Sequence, residues 1–263
     1  MDKHKKIVFL HIPKTAGQSV HQFLLDAFPG VPVCPARVNE QLIGLSRKEL
    51  NRYQIFSGHL DWSALDCVEG EVFTFTILRE PMERILSFYY YLRKSAAGID
   101  PAELRSPHRT GMWYALNATP YEYLVDPKCP IRGFIDSHYD NFYTYFFAAR
   151  RYDARGKVLG QIGKDLAFSS MEEVNALAQS NLAELDHAYT IANWGRLKQD
   201  LERFLGYKLL AAMDAYHLNQ GEKEGANDRL QKLLDGERGE EIGTQLEKYS
   251  TYDNALWDLV AGR

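Results

Sequence analysis

Three observations predict an α/β fold for this 263-residue chain, with a central, mainly parallel sheet flanked by helices. A continuous apolar run at residues 7–10 passes through a polar loop into an amphipathic stretch. An alternating run at 72–78 does the same, and a third such unit recurs near residue 190. Strand and helix signals in alternation are what a parallel sheet with crossover helices requires.

The first unit reads IVFLHIPKTAGQS, from Ile7 to Ser19. Ile7, Val8, Phe9 and Leu10 suit a strand buried on both faces. Pro13 stiffens the exit, and Gly17 permits a turn or a close approach to a ligand. Thr15, Gln18 and Ser19 supply donors, and Val20 to Phe28 reads as the following helix. A donor-rich loop at a helix N-terminus forms an anion site, because free N–H groups and the helix dipole converge there. Lys14 adds a full positive charge. A phosphate is the anion such a loop suits, although a lysine taken singly is equally a surface residue. The first glycine of G-x-x-x-x-G-K-[ST] is missing and Lys14 precedes Gly17, so this is not an ATP-binding Walker loop.

Residues 29–50 contain Pro29, Gly30, Pro32 and Pro35 and read as a surface excursion. Gln54 to Phe56 reads as a short strand, Ser57-Gly58 as a turn, and His59 as exposed at its tip. An imidazole with an ordinary pKa of about 6.5 accepts a proton near neutrality, so His59 is a candidate base. A surface or helix-capping histidine is the alternative.

In the second unit, Phe73, Phe75 and Ile77 alternate with threonines, and Arg79 closes the strand where ligands collect in open α/β sheets. Pro81 is placed as a first helical residue. Ser87 follows about two turns in, and its hydroxyl can face back toward Arg79. Arg84 reads as a partner for Glu80 or Glu83, or as a pin for the helix. Those two glutamates are rival bases, but helix N-terminal carboxylates by position.

Further along, 94–120 mixes glycine, proline and basic residues with Met112, Trp113 and Tyr114, and 121–147 is dense in aromatic residues. Insertions of this kind shape binding pockets, whereas aromatic density alone is ordinary core. Val174, Leu177, Ala178, Leu182 and Leu185 keep helical spacing. Tyr189 to Asn193 reads as a strand, followed by a helix bearing Leu197, Leu201, Phe204 and Leu205. The tail from Asp228 to Val260 reads as two or three helices.

Composition narrows the function classes. With 45% hydrophobic and 25% charged residues, the chain is of ordinary globular type. A formal charge of −4 argues against broad nucleic-acid binding, and Arg150, Arg151, Arg155 and Lys157 read as a solvated cluster. No run of about 18 apolar residues is present, and MDKHKK leads straight into a core strand, so no membrane span or signal peptide is expected. Cys34, Cys67 and Cys129 suit a reduced compartment, and no His or Cys spacing suggests a metal site.

Two motifs carry a resemblance. The order His11-x-Pro13-Lys14-Thr15-Ala16-Gly17-x-Ser19 resembles the 5′-phosphosulfate loop of PAPS-dependent sulfotransferases (PAPS is 3′-phosphoadenosine 5′-phosphosulfate). The likeness is specifically to the carbohydrate branch that includes the heparan sulfate and uronosyl 2-O-sulfotransferases. Leu78-Arg79-Glu80-Pro81-x-x-Arg84-x-x-Ser87-x-Tyr89 resembles the 3′-phosphate segment of the same enzymes. Gly58-His59-x-x-Trp62 looks like their G-H-x-x-[FYW] segment, whose histidine is the base.

The resemblance implies a single sulfotransferase domain over 1–263, of P-loop nucleotide-binding type, with acceptor-pocket insertions around 29–50 and 94–147. Lys14, Thr15, Ala16, Gly17, Gln18 and Ser19 would hold the 5′-phosphosulfate, and Arg79 and Ser87 the 3′-phosphate. His59 and Lys14 would be catalytic, PAP the product, and no metal required. The acceptor implied is a hydroxyl of a saccharide or glycoconjugate. The family's Golgi members carry a membrane anchor, so its absence leads us to expect a cytoplasmic, bacterial-type member. Asn141 and Thr144 match the family's N-x-x-T-R stretch, but Tyr145 stands where arginine is usual. HLN at 217–219 and YDNALW at 252–257 are weaker echoes. A P-loop kinase acting on a small alcohol or sugar, and a non-catalytic nucleotide-binding protein, are the rival classes.

Overall fold

The computed structural model describes residues 1–162, 168–211, 216 and 225–262. His217 and the HLN run lie outside them. In chain order the first half comprises β1 (Lys5–Leu10), α1 (Gly17–Ala27), α2 (Asn39–Ile43), α3 (Arg47–Leu50), β2 (Ile55–Gly58), β3 (Glu71–Leu78) and α4 (Pro81–Ala97). The helices α5 (Pro101–Leu104), α6 (Thr110–Asn117), α7 (Pro120–Leu124), α8 (Arg132–Tyr139), α9 (Phe142–Ala149), α10 (Arg155–Leu159) and α11 (Met171–Ala183) follow. The chain closes with β4 (His187–Thr190), α12 (Leu197–Leu205), α13 (Ala226–Leu234) and α14 (Gly239–Ala261).

The four strands form one sheet in the order β2-β1-β3-β4, and every pair is parallel. Leu10 is in register with both Gly58 and Thr76, so β1, β2 and β3 end along one edge. The chain steps from β1 to β2 on one side and then to β3 on the other. The loops after β1 and β3 therefore diverge over a crevice at the carboxyl edge, the place where ligands enter such sheets.

Strand alternation divides the core. Ile7, Phe9, Ile55, Phe73, Phe75 and Ile77 pack with Val20, Phe23 and Leu24 of α1 and Leu197 and Leu201 of α12. Val8, Leu10 and Phe56 face the other way, onto α9, α11 and the end of α14. Two-sided burial accounts for the unbroken apolar run of β1. A third cluster joins α4, α6, α7, α8 and α14.

Two sequence expectations change and a third holds. Ser57 and Gly58 are the end of β2 rather than a turn, because they pair with Phe9 and Leu10 of β1, and Val38 bridges His59 just beyond. Residues 29–50 are not a bare excursion: Val33 bridges Ile55, Cys34 N donates to Ile55 O at 2.8 Å, and the segment covers the outer edge of β2. Phe142 to Phe147 are all buried, so the aromatic run packs in the core, as aromatic density by itself suggests. Among the described residues no helix is long and apolar enough to cross a membrane.

Candidate active site at the carboxyl edge of the sheet

The loop between β1 and α1 has an unusual backbone. Lys14 and Ala16 adopt left-handed conformations, with φ of 70° and 68°. Each costs roughly 1–2 kcal/mol for a residue with a Cβ, a strain typical of ligand-binding loops. Gly17 does not supply the turn, the first of the two roles its position suggested. Its role is space, because a Cβ there would meet His11 Nε2 at 1.7 Å. Thr15 is fully buried, and its hydroxyl donates to Ile12 O at 2.9 Å, closing the loop on itself. Gln18 and Ser19 stand in the first turn of α1, which Ala16 begins without a side-chain cap. That turn stands just past the carboxyl end of β1, where the positive end of the helix dipole lies.

Lys14 sits over the ring of Tyr91 on α4, with Nζ 3.9 Å from the centroid. Burial lowers its ammonium to about 8, with further lowering from the charges of Arg79, Arg229 and Lys94. The loop lysine and the arginine that closes β3 follow neighbouring strands of the sheet, close enough for their charges to interact. Arg79 Nε donates to Glu83 Oε2 at 3.1 Å. Ser87 lies one helical turn beyond Glu83 and is buried.

His59 follows β2 and is half-buried rather than exposed. Its Nδ1 lies 2.9 Å from His11 O, and a carbonyl can only accept, so Nδ1 carries the proton. In the neutral ring Nε2 is therefore the basic nitrogen. The imidazole stacks on His11, centroids 4.2 Å apart, and meets the ring of Tyr152 at 5.2 Å. Burial pulls the His59 pKa below its ordinary value despite the backbone hydrogen bond, helped by the charges of Arg37 and His138. His11 is held further down, chiefly by burial, which keeps its ring an uncharged spacer.

The rival bases are occupied. Glu80 caps α4, its two oxygens accepting from Met82 N at 3.0 Å and Glu83 N at 2.6 Å. Glu83 is engaged by Arg79. Arg84 pairs with neither. It is 1% exposed, donates from Nη2 to His138 O at 2.9 Å, and lies over the rings of Phe142 and Tyr143. Those π faces meet a guanidinium whose Nε and Nη1 make no hydrogen bond. Arg84 thus pins α4 to α9.

The motif at 141–144 is structural. Asn141 Oδ1 accepts from Tyr252 N and Asp253 N, and Thr144 Oγ1 accepts from Asn175 Nδ2. Next to Tyr145, Arg155 bonds Asp140 at 2.7 Å, so a cation from α10 serves the region where an arginine at 145 is absent.

Sequence reasoning missed Arg37, Arg229, Lys94 and Tyr91. Arg37 reaches His21 Nδ1 and Ser57 Oγ beneath His59, and its carbonyl accepts from His59 N at 2.8 Å. Gly58 is obligatory there, since a Cβ would meet Arg37 O at 2.6 Å. Tyr91 and Lys94 do carry a signal, standing two and three turns beyond Glu83 on α4. Arg229 carries none, because only tertiary packing brings α13 to this face. Among the described residues no three His, Cys, Asp or Glu side chains group as metal ligands.

Residues 1–153 match a family model described as the sulfotransferase family, Sulfotransfer_2. No curated protein matches the chain.

Proposed function

The chain belongs to the sulfotransferase family, and from that premise we propose that it moves the sulfuryl group of PAPS to a hydroxyl of a saccharide or glycoconjugate, with His59 as base. Sulfuryl transfer is the chemistry of the family. The donor, the acceptor class and the residue roles are our reading of the crevice.

One observation carries it. Lys14 leaves β1 and Arg79 leaves β3 on either side of the same crevice, near enough for their charges to repel. Two cationic side chains following neighbouring strands suit a ligand with two separate anionic groups. The residues present fit the donor: the uncapped first turn of α1 and Lys14 for the 5′-phosphosulfate, Arg79 and Ser87 for the 3′-phosphate.

The chemistry then follows from the side chains. Neutral His59 takes the acceptor's hydroxyl proton on Nε2 as the oxygen attacks sulfur. The bond from sulfur to the 5′-phosphate oxygen breaks, and Lys14, with the N–H groups of Gly17, Gln18 and Ser19, neutralises the charge left on the departing PAP. The proton carried by Nδ1 and accepted by His11 O keeps the ring in the orientation and tautomer this needs.

A saccharide acceptor is supported by the resemblance of the two loop motifs and of Gly58-His59-x-x-Trp62 to the carbohydrate branch of the family. The test is mass spectrometry of a glycan and metabolite panel incubated with the protein and PAPS. Gain of one SO₃ on a saccharide supports the proposal. Gain only on a non-saccharide overturns the acceptor class, and phosphate transfer from ATP overturns the donor.

A further inference from the structure

Register pairing of β3 with β4 ends at Leu78 with Thr190, and Ile191 N donates to Leu78 O at 3.1 Å. Arg79 is thus the first residue past the ladder, and its main chain needs other partners. Tyr143 supplies both. Its hydroxyl donates to Arg79 O at 2.8 Å and accepts from Arg79 N at 3.2 Å. A single phenol does for this residue what a neighbouring strand does for Leu78.

The phenol is itself fixed. Tyr143 is fully buried near the start of α9, and Arg84 lies over its ring, 5.4 Å from the centroid. The main-chain N–H groups of Tyr143 and Thr144 donate to the two oxygens of Asp253, at 3.0 and 2.8 Å. Asp253 belongs to α14, whose backbone in turn bonds Asn141. The C-terminal helix is thereby two steps from the crevice.

We infer that Tyr143 is a positioning residue for the donor: by holding both main-chain groups of Arg79 it sets the direction in which the guanidinium leaves β3, and so the grip on the ligand's second anionic group. This rests on the reading of Arg79 given under Proposed function. Loss of the phenol frees the arginine without touching the Lys14 loop, so the effect is selective.

The experiment is calorimetric titration of full-length wild type, Tyr143→Phe, Arg79→Ala and the double variant with PAP and with 5′-AMP, which lacks the 3′-phosphate. Phenylalanine keeps the ring and removes only the hydroxyl. Expected for Tyr143→Phe is a loss of about 2- to 12-fold in PAP affinity, the worth of one net hydrogen bond, with AMP unchanged. The double variant should lose no more PAP affinity than Arg79→Ala, because both act through one contact. Equal losses for PAP and AMP, or additive losses in the double variant, overturn the inference. If wild type binds PAP no tighter than AMP, the reading of Arg79 fails and this falls with it; if only Arg79→Ala loses the preference, Tyr143 alone is wrong. Should Tyr143→Phe not fold, Asp253→Asn supplies the second arm. It disturbs the start of α9, and the same selective loss is expected, with equal losses again overturning the inference.

Discussion

His59 is held twice by His11: its ring stacks on the His11 imidazole at 4.2 Å, and its Nδ1–H donates to the His11 carbonyl. The residue that precedes the anion loop therefore orients the candidate base beside it. One strand exit organises two functions.

Replacing His59 by alanine is expected to lower turnover by roughly 10²- to 10⁴-fold, the range for general base catalysis. PAP affinity, read by calorimetry, should stay within a factor of about two, since no donor contact is assigned to His59. A parallel loss of PAP binding would make His59 structural.

Burial, helped by Arg37 and His138 beside it, depresses the His59 pKa, so the ring is neutral, and competent as a base, down to below its usual range. The acid limb of kcat/KM should accordingly fall below about pH 6.5, the ordinary histidine value. An inflection above that value on the acid side would contradict the assignment.

Lys14 titrates at about 8 in the free protein, and a bound anion favours its charged form. Binding is then linked to proton uptake. PAP affinity should be flat below pH 8 and decline above it by up to tenfold per pH unit, and Lys14→Met should abolish this dependence. Unchanged affinity between pH 7 and 9.5 would show that Lys14 does not meet the anion.

Gly17→Ala places a methyl group where the His11 ring lies. Overpacking of this kind costs about 1–3 kcal/mol, and the displaced ring takes His59 with it. A lower Tm and lower turnover are expected together. Adding His11→Ala removes the clash, so the double variant should melt close to His11→Ala alone. A further drop in the double variant would point to the loop backbone instead.

Much of this was legible because it is local. The apolar run of Ile7 to Leu10, the Pro81 helix start and the Glu80 cap each arise from neighbours within four residues, and both loop motifs read directly as sequence. His59 was less so. The pairing that prolongs β2 past Gly58 comes from Val38, twenty-one residues away, and it turns an expected exposed tip into a half-buried site. Of the two roles expected for Gly17 the turn is not one it fills: the positive φ angles fall on Lys14 and Ala16, and the glycine makes room for a side chain six residues earlier.

By itself, the sequence determined the strand and helix units, the cationic loop after β1, and the arginine at the end of β3, since hydrophobic period and turn chemistry act over a few residues. The tertiary structure alone decided that β1 lies between β2 and β3, which gathers Lys14, His59 and Arg79 at one edge. It alone brought Arg229 to the face of α4 and Tyr143 beneath Arg79. The reason is that which helix covers which face follows from how buried surfaces fit one another across the whole chain, and no short window of residues carries that information.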